Sequence, residues 1–249
     1  VNSFRISGGR VEIWRDVAEL SERAAELLIG IARQTVDARG KFELALAGGS
    51  TPRALYELLA TDAKSARVPW QQTHVYWSDE RCVSPDNPRS NYRMAYESLL
   101  SHVPLPEQNI HRMRGEEEPE SAARAYAGEL EKEFGPGVPR FPLILLGMGD
   151  DGHTASLFPG SSALHDLQNT VAATYVEKLE EHRLTMTLRT LNAAETILFL
   201  VAGESKAEML SKVLDDRDSD SLPAKLVRPT NGELIWLVDE SAGRLVKSR

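Results

Sequence analysis

Three glycines, two aspartates and a histidine fall within the seven residues Gly147-Met148-Gly149-Asp150-Asp151-Gly152-His153. Histidine is the side chain whose ordinary pKa lets it take a proton near neutrality. Asp151, two residues earlier, could fix the tautomer of His153 and stabilise the imidazolium that forms. A base of this kind typically contributes about 10²–10⁴-fold in rate. Glycines at this density let the backbone turn sharply and approach a ligand closely. The plainer alternative is a loop in which Asp150 or Asp151 caps the next helix and His153 only packs. An Asp-Gly-His triplet alone does not decide between the two; the fourteen residues through Gly160 carry more. They follow the apolar run Leu143-Ile144-Leu145-Leu146, which is bounded by turn formers and reads as a buried parallel strand. In open α/β sheets ligands bind beyond the carboxyl ends of such strands.

A second strand, Phe42 to Ala47, runs into Gly48-Gly49-Ser50-Thr51-Pro52 and then a helix from Arg53 to Ala60. Strand, small glycine loop and helix together can present backbone N–H groups to an anion. The alternative is a tight turn with Ser50 or Thr51 as an ordinary cap and Pro52 in the first turn. No Gly-Lys-Ser/Thr follows the glycines, so this is not a nucleotide P-loop. A third strand, His74 to Trp77, ends in Ser78-Asp79-Glu80-Arg81. Asp79 could reach substrate hydroxyls and Arg81 an anion, or the two could form a surface salt bridge. Arg183 stands at the entrance of a strand running to Leu188, facing either an anion or water. Lys206 falls in the first turn of a helix reaching Leu214, behind the strand Thr196–Val201. A cation there opposes the helix dipole unless an anion offsets it, which favours Lys206 as a ligand group.

The elements that must carry these residues follow from hydrophobic period. Val11–Trp14 reads as a strand, and Asp16 opens a helix with Leu20, Ala24, Leu27, Leu28 and Ile31 on one face, closed by Gly40. Ser90 or Asn91 should cap a helix through Leu100, and Ser121–Phe134 is a further helix. Asn109–Met113 is at best a short strand. Val171–Val176 and Arg183–Leu188 are strands, the second with Leu184, Met186 and Leu188 on one face; Leu234–Val238 is the last. The stretches 115–120 and 215–220 read as acidic, solvated loops. Strands alternate with helices over most of the length, which predicts a mostly parallel sheet covered on both faces. No linker or internal repeat divides the chain, so 1–249 reads as one domain.

A net charge of −8 argues against nucleic acid or an anionic membrane as the main partner, but not against a small anion held by a few local cations. The single cysteine, Cys82, rules out an intramolecular disulfide and suits a reducing compartment; it is more simply a small packing residue than a nucleophile. No apolar run approaches the roughly 18 residues of a membrane span. The N-terminal stretch, with Arg5 and Arg10 and no long apolar core, is not a signal peptide. A cytoplasmic protein is expected. None of the histidines sits at metal-ligand spacing from another His, Cys or Glu, so no metal is expected. His74, His102, His111, His165 and His182 read as structural or exposed.

Four pieces, Leu46–Pro52, Ser78–Val83, Asn87–Met94 and Leu146–Pro159, resemble the motifs of the 6-phosphogluconolactonase family, with Gly203-Glu204-Ser205-Lys206-Ala207 as a fifth match. The resemblance spans nearly the whole chain in order. It implies a three-layer α/β/α sandwich with a Rossmann-like sheet, similar to glucosamine-6-phosphate deaminase and ribose-5-phosphate isomerase, and no cofactor. The implied reaction is hydrolysis of 6-phospho-D-glucono-1,5-lactone in the oxidative pentose phosphate pathway. His153 would activate water and Asp151 would orient it. The phosphate would sit on Gly48, Gly49, Ser50 and Thr51 with help from Lys206 and Arg183, leaving Asp79 and Arg81 for the sugar or the developing oxyanion. Which of Arg81, Arg183 and Lys206 takes phosphate stays open. A functional association with glucose-6-phosphate dehydrogenase, which makes the lactone, is the partner this resemblance admits. The related deaminases have a glutamate just before the proline that ends the Asp-Gly-His stretch; here that position is Phe158, which counts against deamination. A non-catalytic sugar-phosphate sensor of the same fold would be expected to carry a DNA-binding segment and would need neither Asp151 nor His153.

Overall fold

The computed structural model describes residues 2–6, 8–215 and 222–246. Its strands are β1 (Asn2–Ile6), β2 (Gly9–Trp14), β3 (Phe42–Leu46), β4 (Thr73–Trp77), β5 (Asp79–Arg81), β6 (Leu143–Leu146), β7 (Val171–Val176), β8 (Glu181–Met186), β9 (Thr196–Val201) and β10 (Glu233–Asp239). Seven of them form one sheet in the order β1-β2-β10-β9-β6-β3-β4. Every neighbouring pair is parallel except β1 with β2 at the edge. Every residue of β3 and β6 is buried. Because successive strand side chains point to opposite faces, that burial requires cover on both sides. Helices supply it, giving three α/β/α layers, and one hydrophobic cluster runs from Val11 to Ala242. Phe199 and Trp236, opposite each other on β9 and β10, stack with ring centroids 3.8 Å apart.

Local chemistry sets the helix ends. The helix Val17–Arg39 starts where the Asp16 carboxylate accepts the Glu19 N–H at 2.9 Å, and it stops at Gly40, whose φ of 77° lets its N–H reach the Val36 carbonyl. Its buried stripe includes Leu20, Ala24, Leu28 and Ala32, with Leu27 and Ile31 half-buried beside them. The second helix begins earlier than its sequence suggests, at Ser50, with Gly49 as the cap and no side chain on the terminal N–H groups. Ser50 and Thr51 are therefore first-turn residues and not caps. Ser90, as expected, caps the helix Asn91–Ser98. Pro119–Phe134 starts two residues early because the Glu118 carboxylate accepts the N–H groups of Glu120 and Ser121. Asn109–Met113 forms only an isolated bridge, Ile110 to Val75. After β9, a 3-10 turn over Glu204–Lys206 precedes the helix Ala207–Val213. The acidic loop expected at 215–220 falls, after Asp215, outside the described residues.

One layer was not legible from periodicity. β5, β8 and β7 form a separate antiparallel sheet in that order. Four residues connect β7 to β8, enough for a hairpin and far too few for a parallel crossover. Asp79–Arg81, which reads as the polar end of β4, is the third strand of this sheet. Leu188 lies past the end of β8 and starts a short helical turn, so it leaves the face shared by Leu184 and Met186.

The order of the main sheet places the site. From β3 the chain moves outward to β4, then returns to the other side of β3 with β6 and continues to β9. The reversal opens a crevice at the carboxyl ends of β3 and β6. Gly48 and Gly147 lie at that crevice, each beginning a glycine loop. No described helix is long and apolar enough to cross a membrane.

Candidate active site

The loop after β6 closes on itself. Gly149 N–H donates to the His153 carbonyl at 2.9 Å and Gly152 N–H to the Gly149 carbonyl at 3.1 Å. Gly152 has a φ of +78°, which L side chains adopt only with strain. Asp151 Oδ1 accepts the backbone N–H of His153 at 3.1 Å and its ring Nδ1–H at 2.5 Å. A carboxylate that accepts from its own second neighbour is a local Asx turn, so a tripeptide both bends the chain and aims the imidazole. With Nδ1 committed to Asp151, the proton acceptor left on the ring is Nε2. No helix follows for Asp150 or Asp151 to cap.

A pocket of about 220 Å³ lies at the crevice, lined by Gly48, Gly49, Ser50, Thr51, Asp79, Arg81, Gly149, His153, Arg183 and Lys206, among others. The sequence-derived residues therefore converge on one cavity, except Asp151, which stands behind His153. Asp79 is not part of a surface salt bridge: it is 6% exposed and accepts from the Ser156 hydroxyl at 2.7 Å and the Asn91 amide at 3.3 Å. Arg81 donates to the Arg89 carbonyl, and Arg183, within β8, pairs with Glu181. Neither guanidinium Nε has a hydrogen-bond partner among the described residues, although both are buried. Lys206 stands just before the helix Ala207–Val213, with Nζ 2.7 Å from Asp150 Oδ1. That ion pair ties the loop after β9 to the loop after β6 and holds Asp150 below the usual carboxylate range.

Burial pushes His153 down to about 4; Asp79 opposes the shift, and Arg183, Lys206 and Arg81 reinforce it. The imidazole is neutral at pH 7 and ready to accept a proton. Cys82 is no rival nucleophile: burial pushes its thiol up to about 11, and it lines a different groove beside Gly115 and His182. No group of three or more His, Cys, Asp or Glu side chains among the described residues is arranged to hold a metal ion.

Several working neighbours were missed by sequence reasoning. Glu80, almost fully buried, accepts N–H groups from Arg81, Asn91 and Tyr92, so it fixes Arg81 and the start of the helix Asn91–Ser98 together. Asn91 packs against Gly48, where an added Cβ would lie 2.0 Å from Asn91 Oδ1. Phe158 stacks on His153 with centroids 4.2 Å apart. Lys178, from the β7–β8 hairpin, pairs with Asp151 Oδ2 and lies over the Phe158 ring. Glu80, Asn91 and Phe158 had a signal, each falling inside a motif stretch; Lys178 arrives through the small sheet and had none.

A family profile described as glucosamine-6-phosphate isomerases/6-phosphogluconolactonase matches residues 15–236. The chain belongs to that family. A 6-phosphogluconolactonase of Synechocystis sp. is 43% identical over 229 residues, covering 90% of this chain and 92% of its own. The solved structure of 6-phosphogluconolactonase from Trypanosoma cruzi superposes with a TM-score of 0.85 at 25% identity, covering 97% of this chain and 98% of that one. A monomeric glucosamine-6-phosphate deaminase superposes with a TM-score of 0.78 at 24% identity, over 94% of this chain and 99% of its own, a likeness of fold alone. The family description joins glucosamine-6-phosphate isomerases with 6-phosphogluconolactonase.

Proposed function

We propose that this chain hydrolyses 6-phospho-D-glucono-1,5-lactone to 6-phospho-D-gluconate, with His153 Nε2 as the base that deprotonates the attacking water. The observation that carries the reading is an imidazole, held by Asp151 through Nδ1, that lines one pocket with Arg81, Arg183, Lys206 and two glycine loops. Water adds to the lactone carbonyl as His153 takes its proton. The ring C–O bond then breaks, and the imidazolium can return that proton to the departing ring oxygen. Charge developing on the carbonyl oxygen needs fixed donors, for which Arg81 and the glycine-loop N–H groups are available. The phosphate fits the uncapped helix start at Gly49–Thr51, with Lys206 and Arg183 beside it. Its binding energy positions the distant carbonyl, so a dephosphorylated lactone should lose kcat as well as affinity. Phe158 supports hydrolysis over deamination, because an aromatic ring against His153 offers no carboxylate for ring opening. A cytoplasmic setting and coupling to glucose-6-phosphate dehydrogenase, the source of the lactone, belong to the same reading.

The deciding assay follows freshly generated 6-phosphogluconolactone against its spontaneous hydrolysis, with ammonia release from glucosamine 6-phosphate measured in parallel. Acceleration of the first alone supports the reading. Ammonia release overturns it in favour of deamination, and binding without either reaction points to a sensor.

The depressed His153 pKa sets the pH dependence. Protonation removes the base, and because burial lowers the pKa, the active form persists below the usual histidine range. The kcat profile at saturating lactone, which the titration of the free substrate's phosphate near pH 6 does not enter, should stay flat through pH 6.5 and fall only as pH approaches about 4. An acid limb centred near 6.5 would contradict a buried neutral base.

Lys206→Ala should weaken 6-phosphogluconate binding by about 10-fold or more, the range for a charge-assisted hydrogen bond, with little effect on unphosphorylated gluconate. Calorimetry on both ligands checks this. Equal affinity of variant and parent for 6-phosphogluconate would remove Lys206 from the phosphate site.

A further inference from the structure

The β7–β8 hairpin reaches across the cavity wall to the supports of His153. At its turn, Glu177–Leu179 forms one 3-10 turn and Glu180 takes a left-handed φ of 51°. Lys178 Nζ pairs with Asp151 Oδ2 while Asp151 Oδ1 holds the His153 ring. The same Nζ lies 4.8 Å from the centroid of Phe158, whose ring also stacks on His153 at 26°. One ammonium thus touches both groups that fix the imidazole, and it does so from outside the pocket lining. We propose that Lys178 is a positioning residue for the reaction, clamping Asp151 and Phe158 so that His153 is held with Nε2 toward the substrate. The inference rests on the reading of His153 as the base.

Two consequences follow from the electrostatics. The Asp151 carboxylate favours the imidazolium; a lysine sharing that carboxylate weakens the effect and so acts in the same direction as burial, the main cause of the lowered pKa. The other charges near His153 are Asp79 and Arg81 on β5, Arg183 on β8, Lys206 after β9 and Asp150 on its own loop. None of these contacts both Asp151 and Phe158. Removing the Lys178 charge should therefore move the acid limb upward. Loosening the ring should lower kcat while leaving ligand affinity unchanged, because Lys178 does not line the pocket.

The test compares Lys178→Met, which keeps the aliphatic stem, with Lys178→Arg and with His153→Ala. For Lys178→Met we expect kcat reduced about 3- to 10-fold, an unchanged Kd for 6-phosphogluconate, and an acid limb raised by about half a pH unit. Lys178→Arg should restore both kcat and the limb. Titration of the His153 ring by NMR in the same variants reads the pKa without relying on turnover. A Lys178→Met profile that superimposes on the parent overturns the proposal, as does a loss of kcat with no shift or with no rescue by arginine. His153→Ala separates the two readings. If it is inactive while Lys178→Met behaves as parent, only the role of Lys178 fails; if it turns over normally, the base assignment itself is lost.

Discussion

His153→Ala should lower kcat for the lactone by about 10²-fold or more while the protein stays folded. Among the described residues the ring is the one histidine that lines the pocket, and it is oriented by a carboxylate; truncation leaves the glycine loops and the cations in place. Residual acceleration from those electrostatic groups is expected, because oxyanion and phosphate contacts do not depend on the imidazole. The backbone of the loop should survive, since its closing bonds, Gly149 N–H to the residue 153 carbonyl and Gly152 N–H to Gly149, are main-chain. The Asx bond from Asp151 to the backbone N–H of residue 153 is also retained. Affinity for 6-phosphogluconate, measured by calorimetry, should change far less than kcat. Turnover within a few-fold of the parent, in a variant with unchanged thermal midpoint, would show that another group activates the water. Asp79, the carboxylate that lines the pocket and is held by Ser156 and Asn91, would then be the next group to examine.

What could be read from sequence divides along a physical line. The main sheet was legible because buried parallel strands leave apolar runs such as Leu143–Leu146, and because glycine at Gly40 and an acidic cap at Asp16 mark helix ends. The site was legible where one loop contains its own geometry. Asp151 and His153 are two residues apart, and an Asx turn brings them together without help from distant elements. The small sheet was not legible. Asp79, Arg81 and Arg183 meet only because β5 crosses from the end of β4 to pair with β8, a pairing between residues about a hundred positions apart, and Lys178 reaches Asp151 from the turn of the same sheet. Alternating hydrophobicity marks β7 and β8 as strands but carries no information on which sheet they join. For the same reason Arg183 reads as a strand-entrance residue facing water or an anion, whereas it is 9% exposed beside Glu181. The reading of Lys206 as a helix-start cation in need of an anion was sound in principle, yet Asp150 already supplies one from the neighbouring loop.

Gly149→Ala separates positioning from folding more sharply than any change to the base itself. A Cβ built at Gly149 would lie 2.0 Å from His153 Nδ1, 2.1 Å from its Cε1 and 2.9 Å from Asp151 Oδ1. The imidazole and its carboxylate must move for even one methyl group. Gly149 does not occupy the left-handed region that penalises L residues, so the substitution costs little in backbone strain. Displacing a reacting group by about 1 Å is enough to cost roughly 10²-fold, and that is the expected loss in kcat. The thermal midpoint should fall only slightly, because the displaced ring is at the pocket and not in the main core. Gly152→Ala is the counterpart. Its φ of +78° imposes about 1–2 kcal/mol of strain, and its Cβ meets Leu222 and Met209 at 3.2 Å, so it should lose stability more than Gly149→Ala does. If Gly149→Ala keeps parental kcat, His153 is free to act from another position and the observed Asp151 geometry is not required for turnover. If both variants lose stability equally and kcat tracks the folded fraction, the glycines serve the fold alone. A collapse of kcat in Gly149→Ala with the midpoint preserved would mean that the bare backbone here exists to seat the base.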